Sequence, residues 1–335
     1  MNGPKAAIGE SPEPAGPQTP LPGPGRGRSG SRFAEVAVEW LIRASAFSAI
    51  VALFLIFIFI GKEALPVLTS PEIKKEANLS KLFLPQDQAH PYSWQPVSEI
   101  PKYSILPLFV GTLKLTLVAI LFAIPLALGA ALFTSEFAPG WLKEFIKPVI
   151  ELLAGIPSVV LGFFALMVMA TYVQELFGIV YRLNTVNAGL ALGLAVIPVV
   201  YTVADDALPS VPRSYREASV AMGASPWQTA WRVVFPAAIP GILAACVLGF
   251  GRAIGETMIV LMASGNAAIM SWDLAKPARS LSASIAAELG EVVVGSAHYH
   301  VLFFLGISLF IFTLVLNMLA HWFVARLQKK VLGTS

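Results

Sequence analysis

The chain has 335 residues, of which 56% are hydrophobic and only 13% charged, and its mean hydropathy is +0.73. Soluble domains carry about 25% charged residues, so this composition predicts a polytopic membrane protein. A net charge of +3 is too small to indicate nucleic-acid binding, and the single cysteine, Cys246, excludes a disulfide within the chain and a multi-cysteine metal site. We expect neither a metal nor a cofactor.

Residues 1–32 form a Pro- and Gly-rich segment that includes "GPQTPLPGPGRGRSG" and has no apolar periodicity. Such a segment cannot bury enough apolar surface to fold, so we predict a disordered tail. We expect 33–104 to hold a first membrane helix and a long periplasmic loop. The remaining five membrane helices are predicted within 105–325, and a cytoplasmic C-terminal tail within 326–335.

A membrane helix needs about 20 mostly apolar residues, and the sequence offers six stretches of that kind. They lie at 43–62, 114–136 (beginning near 105), 151–175, 182–205, 234–263 and 301–325. The predicted fold is therefore an all-α polytopic membrane protein with six transmembrane helices. Lys and Arg are concentrated in the segments on the side of the N-terminus, which by the positive-inside rule predicts that both termini are cytoplasmic.

Glycines spaced four residues apart, which let helix backbones approach closely, occur in two predicted spans. The pairs are Gly189 with Gly193 and Gly251 with Gly255.

Several charged or titratable residues lie near the ends of the predicted spans. We expect Lys114 to extend its ammonium group to the outer interface. Asp205 and Asp206 are predicted to form a solvated helix end, and His298 and His300 to lie on the outer surface.

The predicted fifth span carries two full charges, Arg252 and Glu256, one helical turn apart. Each costs about 2.5–3.5 kcal/mol at mid-membrane on insertion scales. Counting 1.5 Å per residue from Pro236 puts Arg252 about 24 Å along the helix, in the outer half of the membrane. The pair has two interpretations. It is either a structural ion pair at i and i+4, in the weaker Arg-before-Glu order, or part of a watery pathway.

The predicted cytoplasmic loop, residues 206–235, contains two helix-start signals. Ser214 begins an S-x-x-E capping box, and Ser225 begins a second one with proline at the first helical position. Gly223 lies between them, where a helix commonly ends in a left-handed residue. We predict a short helix, a tight turn and a second short helix.

The stretch "EASVAMG", followed nine residues later by "VVFP", resembles the EAA loop of ABC-importer permeases. The positions that match the family pattern are Glu217, Ala218, Gly223 and Pro236. Mild departures occur at Ser219, Val233 and Phe235. The stretches 151–166, 215–242 and 251–267 are similar to the permeases of phosphate-specific transport (Pst) importers, the PstC type in particular.

This resemblance implies a type I ABC-importer permease fold in a bacterial inner membrane. It implies a sister permease subunit, two copies of an ATPase subunit, a periplasmic phosphate-binding protein, inorganic phosphate and membrane lipid as partners. Arg252 and Glu256 would then line the substrate pathway, while Glu217, Ala218 and Gly223 would couple to the ATPase. The sequence has no phosphate-binding loop of the ATPase type, so ATP hydrolysis would belong to the separate subunit.

Three alternatives remain open at this point. The first is a permease of the same architecture for another oxyanion, such as molybdate, sulfate or phosphonate. The second is an ion-coupled secondary transporter with its proton site at Asp205, Asp206 or Glu256. The third is a membrane scaffold or sensor that transports nothing.

Overall fold

The computed structural model describes residues 29–86 and 91–332. Residues 1–28 of the predicted disordered tail lie outside the described residues. The last four residues of that predicted tail, 29–32, instead form the start of the first helix, which begins at Ser29. The described residues up to Ile56 and those from Phe57 onward form two compact units. In the first unit, every side chain described from 35 to 56 is exposed, although most are apolar. A helix that is apolar on all sides and covered on none is typical of a membrane span.

The helices and strands follow in this order: α1 (Ser29–Ala64), α2 (Pro66–Thr69), α3 (Pro71–Glu76), α4 (Leu79–Phe83), β1 (Trp94–Gln95), β2 (Lys102–Tyr103), α5 (Leu106–Glu136), α6 (Gly140–Gly155), α7 (Ser158–Phe164), α8 (Ala170–Phe177), α9 (Thr185–Ala207), α10 (Arg213–Ala221), α11 (Pro226–Thr229), α12 (Phe235–Ala237), α13 (Ile239–Gly255), α14 (Met258–Ala263), α15 (Leu281–Glu288) and α16 (Ala297–Leu332). Strands β1 and β2 pair antiparallel. A π-helical turn joins α7 to α8 at Ala165–Met169, and another joins α11 to α12 at Ala230–Val234.

Within the described residues, five helical segments are long and apolar enough to cross a membrane, which supports the predicted polytopic all-α fold. They are Glu35–Thr69, Leu106–Glu136, Ser158–Phe177, Thr185–Ala207 and Ala297–Arg326. The predicted fifth span corresponds to a bent pair, Pro226–Ala237 with Ile239–Gly255, whose axes differ by 70°, and it gives a sixth crossing if the pair is one span.

Small residues bring α5 and α9 together. A row of fully buried alanines runs along α5 at four-residue spacing: Ala119, Ala123, Ala127 and Ala131. A Cβ atom added at Gly189 would overlap Val118, and one added at Gly193 would overlap Phe122. The predicted close approach at this glycine pair is confirmed. Because lipid is as apolar as a side chain, such close van der Waals packing is what holds membrane helices together.

The second glycine pair does not pack in this way, so that prediction was wrong. No atom lies within 4 Å of a Cβ placed at Gly255, and at Gly251 the nearest is Asn317 Oδ1 at 4.0 Å. Instead Gly241 and Gly249 approach α9. The four-residue spacing was present, but a different face of α13 turns toward the bundle.

Charged groups near the span ends are more buried than predicted. Lys114 is only 2% exposed, and its Nζ donates to the Asp273 carbonyl oxygen at 3.2 Å rather than reaching the interface. Asp205 is also buried and forms an ion pair with Lys147 at 2.8 Å, whereas Asp206 is exposed. Burial of a charge is tolerated when a partner replaces its water, and both buried groups have one.

A second apolar cluster lies at the end of the bundle that carries the β1–β2 hairpin. At its edge, the Glu288 carboxylate accepts a hydrogen bond from Trp94 Nε1 at 3.0 Å, forms an ion pair with Arg279 at 2.7 Å and lies 2.8 Å from His298 Nε2. His300 Nδ1 lies 2.7 Å from a backbone carbonyl oxygen. The surface position predicted for the two histidines was wrong, because their side chains are only 14% and 12% exposed and both have hydrogen-bond partners in the chain.

Candidate functional site

Helix α13, which carries Arg252, has one covered and one uncovered face. The covered face is formed by Ile242, Ala245, Gly249 and Ala253. The uncovered face is formed by Ala244, Leu248, Arg252 and Gly255, and we call these four residues the α13 stripe. Both sets repeat every three or four residues, as expected for two sides of one helix. Arg252 therefore lies on the side of α13 that the described part of its chain leaves open.

The guanidinium of Arg252 makes no ion pair or hydrogen bond with any residue of the described ranges, 29–86 and 91–332. Helix α13 ends at Gly255, and Glu256 is extended, with ψ of 134°. Glu256 Oε1 instead accepts a hydrogen bond from the backbone of Thr257 at 3.2 Å. The structural ion pair considered from the sequence is absent here, because the i, i+4 geometry requires helix through both positions.

The helix is interrupted at 256–257, between the end of α13 and the start of α14, so the fifth span does not continue as one helix to residue 263 as the sequence predicted. The carbonyl oxygen of Glu256, freed from the helix ladder, accepts a hydrogen bond from Ser282 Oγ at 2.9 Å. A groove of about 590 Å³ opens beside the break, lined in part by Gly255, Thr257 and Ser282. Because Gly255 belongs to the α13 stripe as well, the stripe leads into this groove.

The 206–235 loop folds as predicted in outline. Helix α10 begins at Arg213 after Pro212, and no side chain caps it. The predicted capping role of Ser214 was wrong, because this residue already lies inside the first turn. The capping box at Ser225 is confirmed: its Oγ accepts from the Gln228 backbone at 3.2 Å, and its own N–H donates to Gln228 Oε1 at 2.9 Å.

Gly223 forms the turn between α10 and α11 with φ of +83°, as predicted. Its N–H donates to the Val220 carbonyl at 2.9 Å, and the N–H of Ala224 donates to the Ser219 carbonyl at 3.2 Å. This is the paired hydrogen-bond pattern of a Schellman motif, which requires a left-handed residue. Ser219 Oγ also lies 2.9 Å from Thr229 Oγ1, so the two short helices are joined by their side chains.

The three predicted coupling residues, Glu217, Ala218 and Gly223, are all exposed. Large apolar side chains around them are exposed too: Tyr215, Val220, Met222, Trp227 and Trp231. The rings of Trp227 and Trp231 stack with an interplanar angle of 4°. A cluster of exposed large apolar side chains such as this one, on the pair of short helices α10 and α11, is typical of a protein contact site.

Arg216 is the residue of this loop that the sequence did not single out. Its guanidinium donates two hydrogen bonds to the Glu136 carboxylate, at 2.8 and 3.1 Å. It also donates to the backbone carbonyls of Val211 at 2.7 Å and Leu208 at 3.0 Å. Nothing in the sequence pattern pairs Arg216 with Glu136, because the two lie 80 residues apart.

Comparison with known proteins gives a family match over residues 123–333, to the binding-protein-dependent transport system inner membrane component. The probable ABC transporter permease protein YqgH of Bacillus subtilis is 31% identical over 299 residues, covering 89% of this chain and 94% of its own. The phosphate transport system permease protein PstC 1 of Mycobacterium tuberculosis is 34% identical over 252 residues, covering 69% and 75%.

Solved structures share the fold at low sequence identity. A bacterial alginate ABC transporter, in complex with its alginate pentasaccharide-bound periplasmic protein, matches with a TM-score of 0.59 and 18% identity, covering 89% of this chain and 98% of its own. The predicted type I ABC-importer permease fold is confirmed by this likeness together with the family match.

Proposed function

Since the chain belongs to the family of inner membrane components of binding-protein-dependent transport systems, we propose that it is a permease subunit of an ATP-driven phosphate importer in a bacterial inner membrane. Relatives at 31–34% identity that carry the name phosphate transport system permease protein support phosphate as the substrate. The subunit does no covalent chemistry. It forms half of a path whose access alternates between the two sides of the membrane.

The substrate proposal rests mainly on the position and chemistry of Arg252. A guanidinium stays charged in any environment, and its planar donors suit a tetrahedral oxyanion. Here it lies on the open face of an apolar helix without a partner among residues 29–86 and 91–332. An unpaired charge at membrane depth is tolerated only beside a watery cavity or another subunit. We infer that a sister permease subunit covers the α13 stripe and encloses with it a cavity in which phosphate meets Arg252.

Glu256 adds selectivity in this proposal. Its carboxylate is not bound to Arg252, and it follows the end of α13 directly. A carboxylate accepts a hydrogen bond from the protonated oxygen of hydrogen phosphate, which sulfate lacks. It also places negative charge near the guanidinium, which keeps the anion from binding too tightly for release.

The 206–235 loop is the proposed contact with the ATPase subunits, two copies of which would serve the two permeases. Its exposed apolar surface supports this role, as does the exposure of Glu217 and Ala218 in α10 and of Gly223 in the turn that follows. The loop and both termini then face the cytoplasm. The opposite end, with the β1–β2 hairpin, faces the periplasm, where a phosphate-binding protein delivers the substrate.

The test is uptake of radiolabelled phosphate by proteoliposomes that contain the whole complex, with its binding protein outside and ATP inside. We expect Arg252→Ala to lose at least 90% of uptake while the complex assembles and hydrolyses ATP. The matched control is Arg43→Ala, which removes an exposed arginine whose ion pair with Glu39 contributes little. Normal uptake by Arg252→Ala would refute the role of Arg252.

The same vesicles separate the rival substrates and mechanisms. Unlabelled sulfate or molybdate that competes as well as phosphate would indicate a different oxyanion importer. Uptake that follows the membrane potential and needs no ATP would indicate a secondary transporter. For that rival, one of the candidate sites, Asp205, is already ion-paired with Lys147 at 2.8 Å.

A further inference from the structure

Arg216 joins three separate elements with one side chain. It projects from α10 and bonds to Glu136, the last residue of α5, and to Leu208 and Val211, which follow the end of α9. The guanidinium side chain is 24% exposed and the Glu136 side chain 12%, so water screens this contact only in part.

The physical need for a cation at this point is clear from the helix ends. The carboxyl end of a helix carries partial negative charge and unsatisfied carbonyl groups. Here the ends of α5 and α9 meet, and the carboxylate of Glu136 adds a full negative charge. Arg216 binds the carboxylate and two backbone carbonyls together, which a Lys ammonium cannot do with fixed geometry.

The two helices that Arg216 holds behave as one packed body. Alanines and glycines bring α5 and α9 into contact along their lengths, so a shift at their shared end moves both. On its other side, α10 is bonded through Ser219 and Thr229 to α11, and the chain continues from there into α13 and Arg252. Helix α10 therefore connects to the α5–α9 pair by Arg216 alone among the side-chain hydrogen bonds and ion pairs of the described residues.

We propose that Arg216 is a positioning residue that transmits movement of the 206–235 loop to the α5–α9 pair, and that its bidentate bond to Glu136 is the connection that couples ATP hydrolysis to transport. This rests on the proposed function of the chain. Two parallel bonds between a fork and a carboxylate resist rotation and sliding, so they carry a displacement that one flexible contact would absorb. Breaking the bond leaves the loop exposed for the ATPase but removes its side-chain link to α5.

The experiment uses the complete complex in proteoliposomes and measures phosphate transported per ATP hydrolysed. The variants are Arg216→Lys, which keeps the charge and loses the fork, Glu136→Gln, and the two combined. We expect the ATPase subunits to co-purify and to hydrolyse ATP within about twofold of wild type, while transport per ATP falls at least tenfold. Because the two residues act as one unit, the combined variant is expected to be no worse than the more severe single variant.

Lys147→Ala is the matched control, since it breaks an ion pair of the same 2.8 Å length at the same end of the bundle, but one that joins α6 to α9 and makes no hydrogen bond to α10. We expect its transport per ATP to stay within about twofold of wild type. An unchanged ratio in Arg216→Lys and Glu136→Gln would overturn the proposal, as would an equal fall in the control. Failure of the wild-type complex to transport phosphate would instead refute the proposed function.

Discussion

Gly223 offers a substitution in which one physical effect is isolated. Its φ is +83°, and no atom lies within 4 Å of a Cβ added there. Gly223→Ala therefore introduces no clash, and its whole cost is the left-handed backbone, about 1–2 kcal/mol for an L-residue. That cost lowers the ratio of formed to unformed turn by about 5- to 30-fold.

The expected result is a loss of coupling that is larger for a residue that adopts the left-handed backbone region less readily. In proteoliposomes of the whole complex, Gly223→Ala is expected to lower phosphate transported per ATP hydrolysed. Gly223→Asn is expected to lie between alanine and wild type, because Asn adopts the left-handed region more readily. The ATPase subunits should still co-purify, since the exposed side chains of the loop remain.

The control for this experiment lies elsewhere in the same chain. Gly295 has the same φ of +83° and equally open space around an added Cβ, but it lies outside the 206–235 loop. Gly295→Ala is thus expected to carry a similar backbone cost with wild-type coupling. Equal loss of coupling in the two alanine variants, or none in either, would refute the role assigned to the turn.

Two further predictions concern a helix start and a buried charge. Ser225→Ala removes a capping box, which is worth about 0.5–2 kcal/mol, and should speed hydrogen exchange in the α11 amides, whereas Ser214→Ala should not do so in α10, because Ser214 caps nothing. The prediction would be contradicted if, relative to wild type, the α11 amides of Ser225→Ala kept as much protection from hydrogen exchange as the α10 amides of Ser214→Ala. Burial alone would raise the pKa of Glu288, but the hydrogen bond from His298, the charge of Arg279 and the hydrogen bond from Trp94 hold that pKa below its usual value. The stabilisation by this carboxylate is therefore complete above the ordinary carboxyl value of about 4.3 and is lost as pH falls through the lower folded pKa. Glu288→Gln leaves the partly buried Arg279 without its anion, and we expect a lower thermal midpoint at pH 7, corresponding to about 1–3 kcal/mol, with a difference from wild type that shrinks below pH 4. A constant difference across this pH range would contradict the assignment.

Features that depend on neighbouring residues were predicted well. The apolar runs indicated the spans, because about 20 apolar residues are needed to cross lipid whatever surrounds them. The Gly223 turn and the Ser225 capping box were predicted because their hydrogen bonds close within a few residues. The Gly189 and Gly193 contact was also predicted, since glycine spacing is itself a packing signal.

Features that depend on distant partners were missed. The sequence placed Arg252 and Glu256 on one helix face, yet the break after Gly255 separates them. Ser214 carried the same capping signal as Ser225, but the helix begins one residue before it. In both cases the local pattern was present, but the helix began or ended at a different residue from the one the pattern indicated.

The sequence by itself determined where the apolar stretches that can cross a membrane lie, where the 206–235 loop turns and which residues carry charge within those stretches. Only the tertiary structure decided which face of α13 stays open and which acidic residue forms the ion pair with Arg216. The reason is physical: hydropathy and turn geometry are properties of adjacent residues. The direction of a side chain and the partner of a charge depend instead on how helices separated by tens of residues pack against each other.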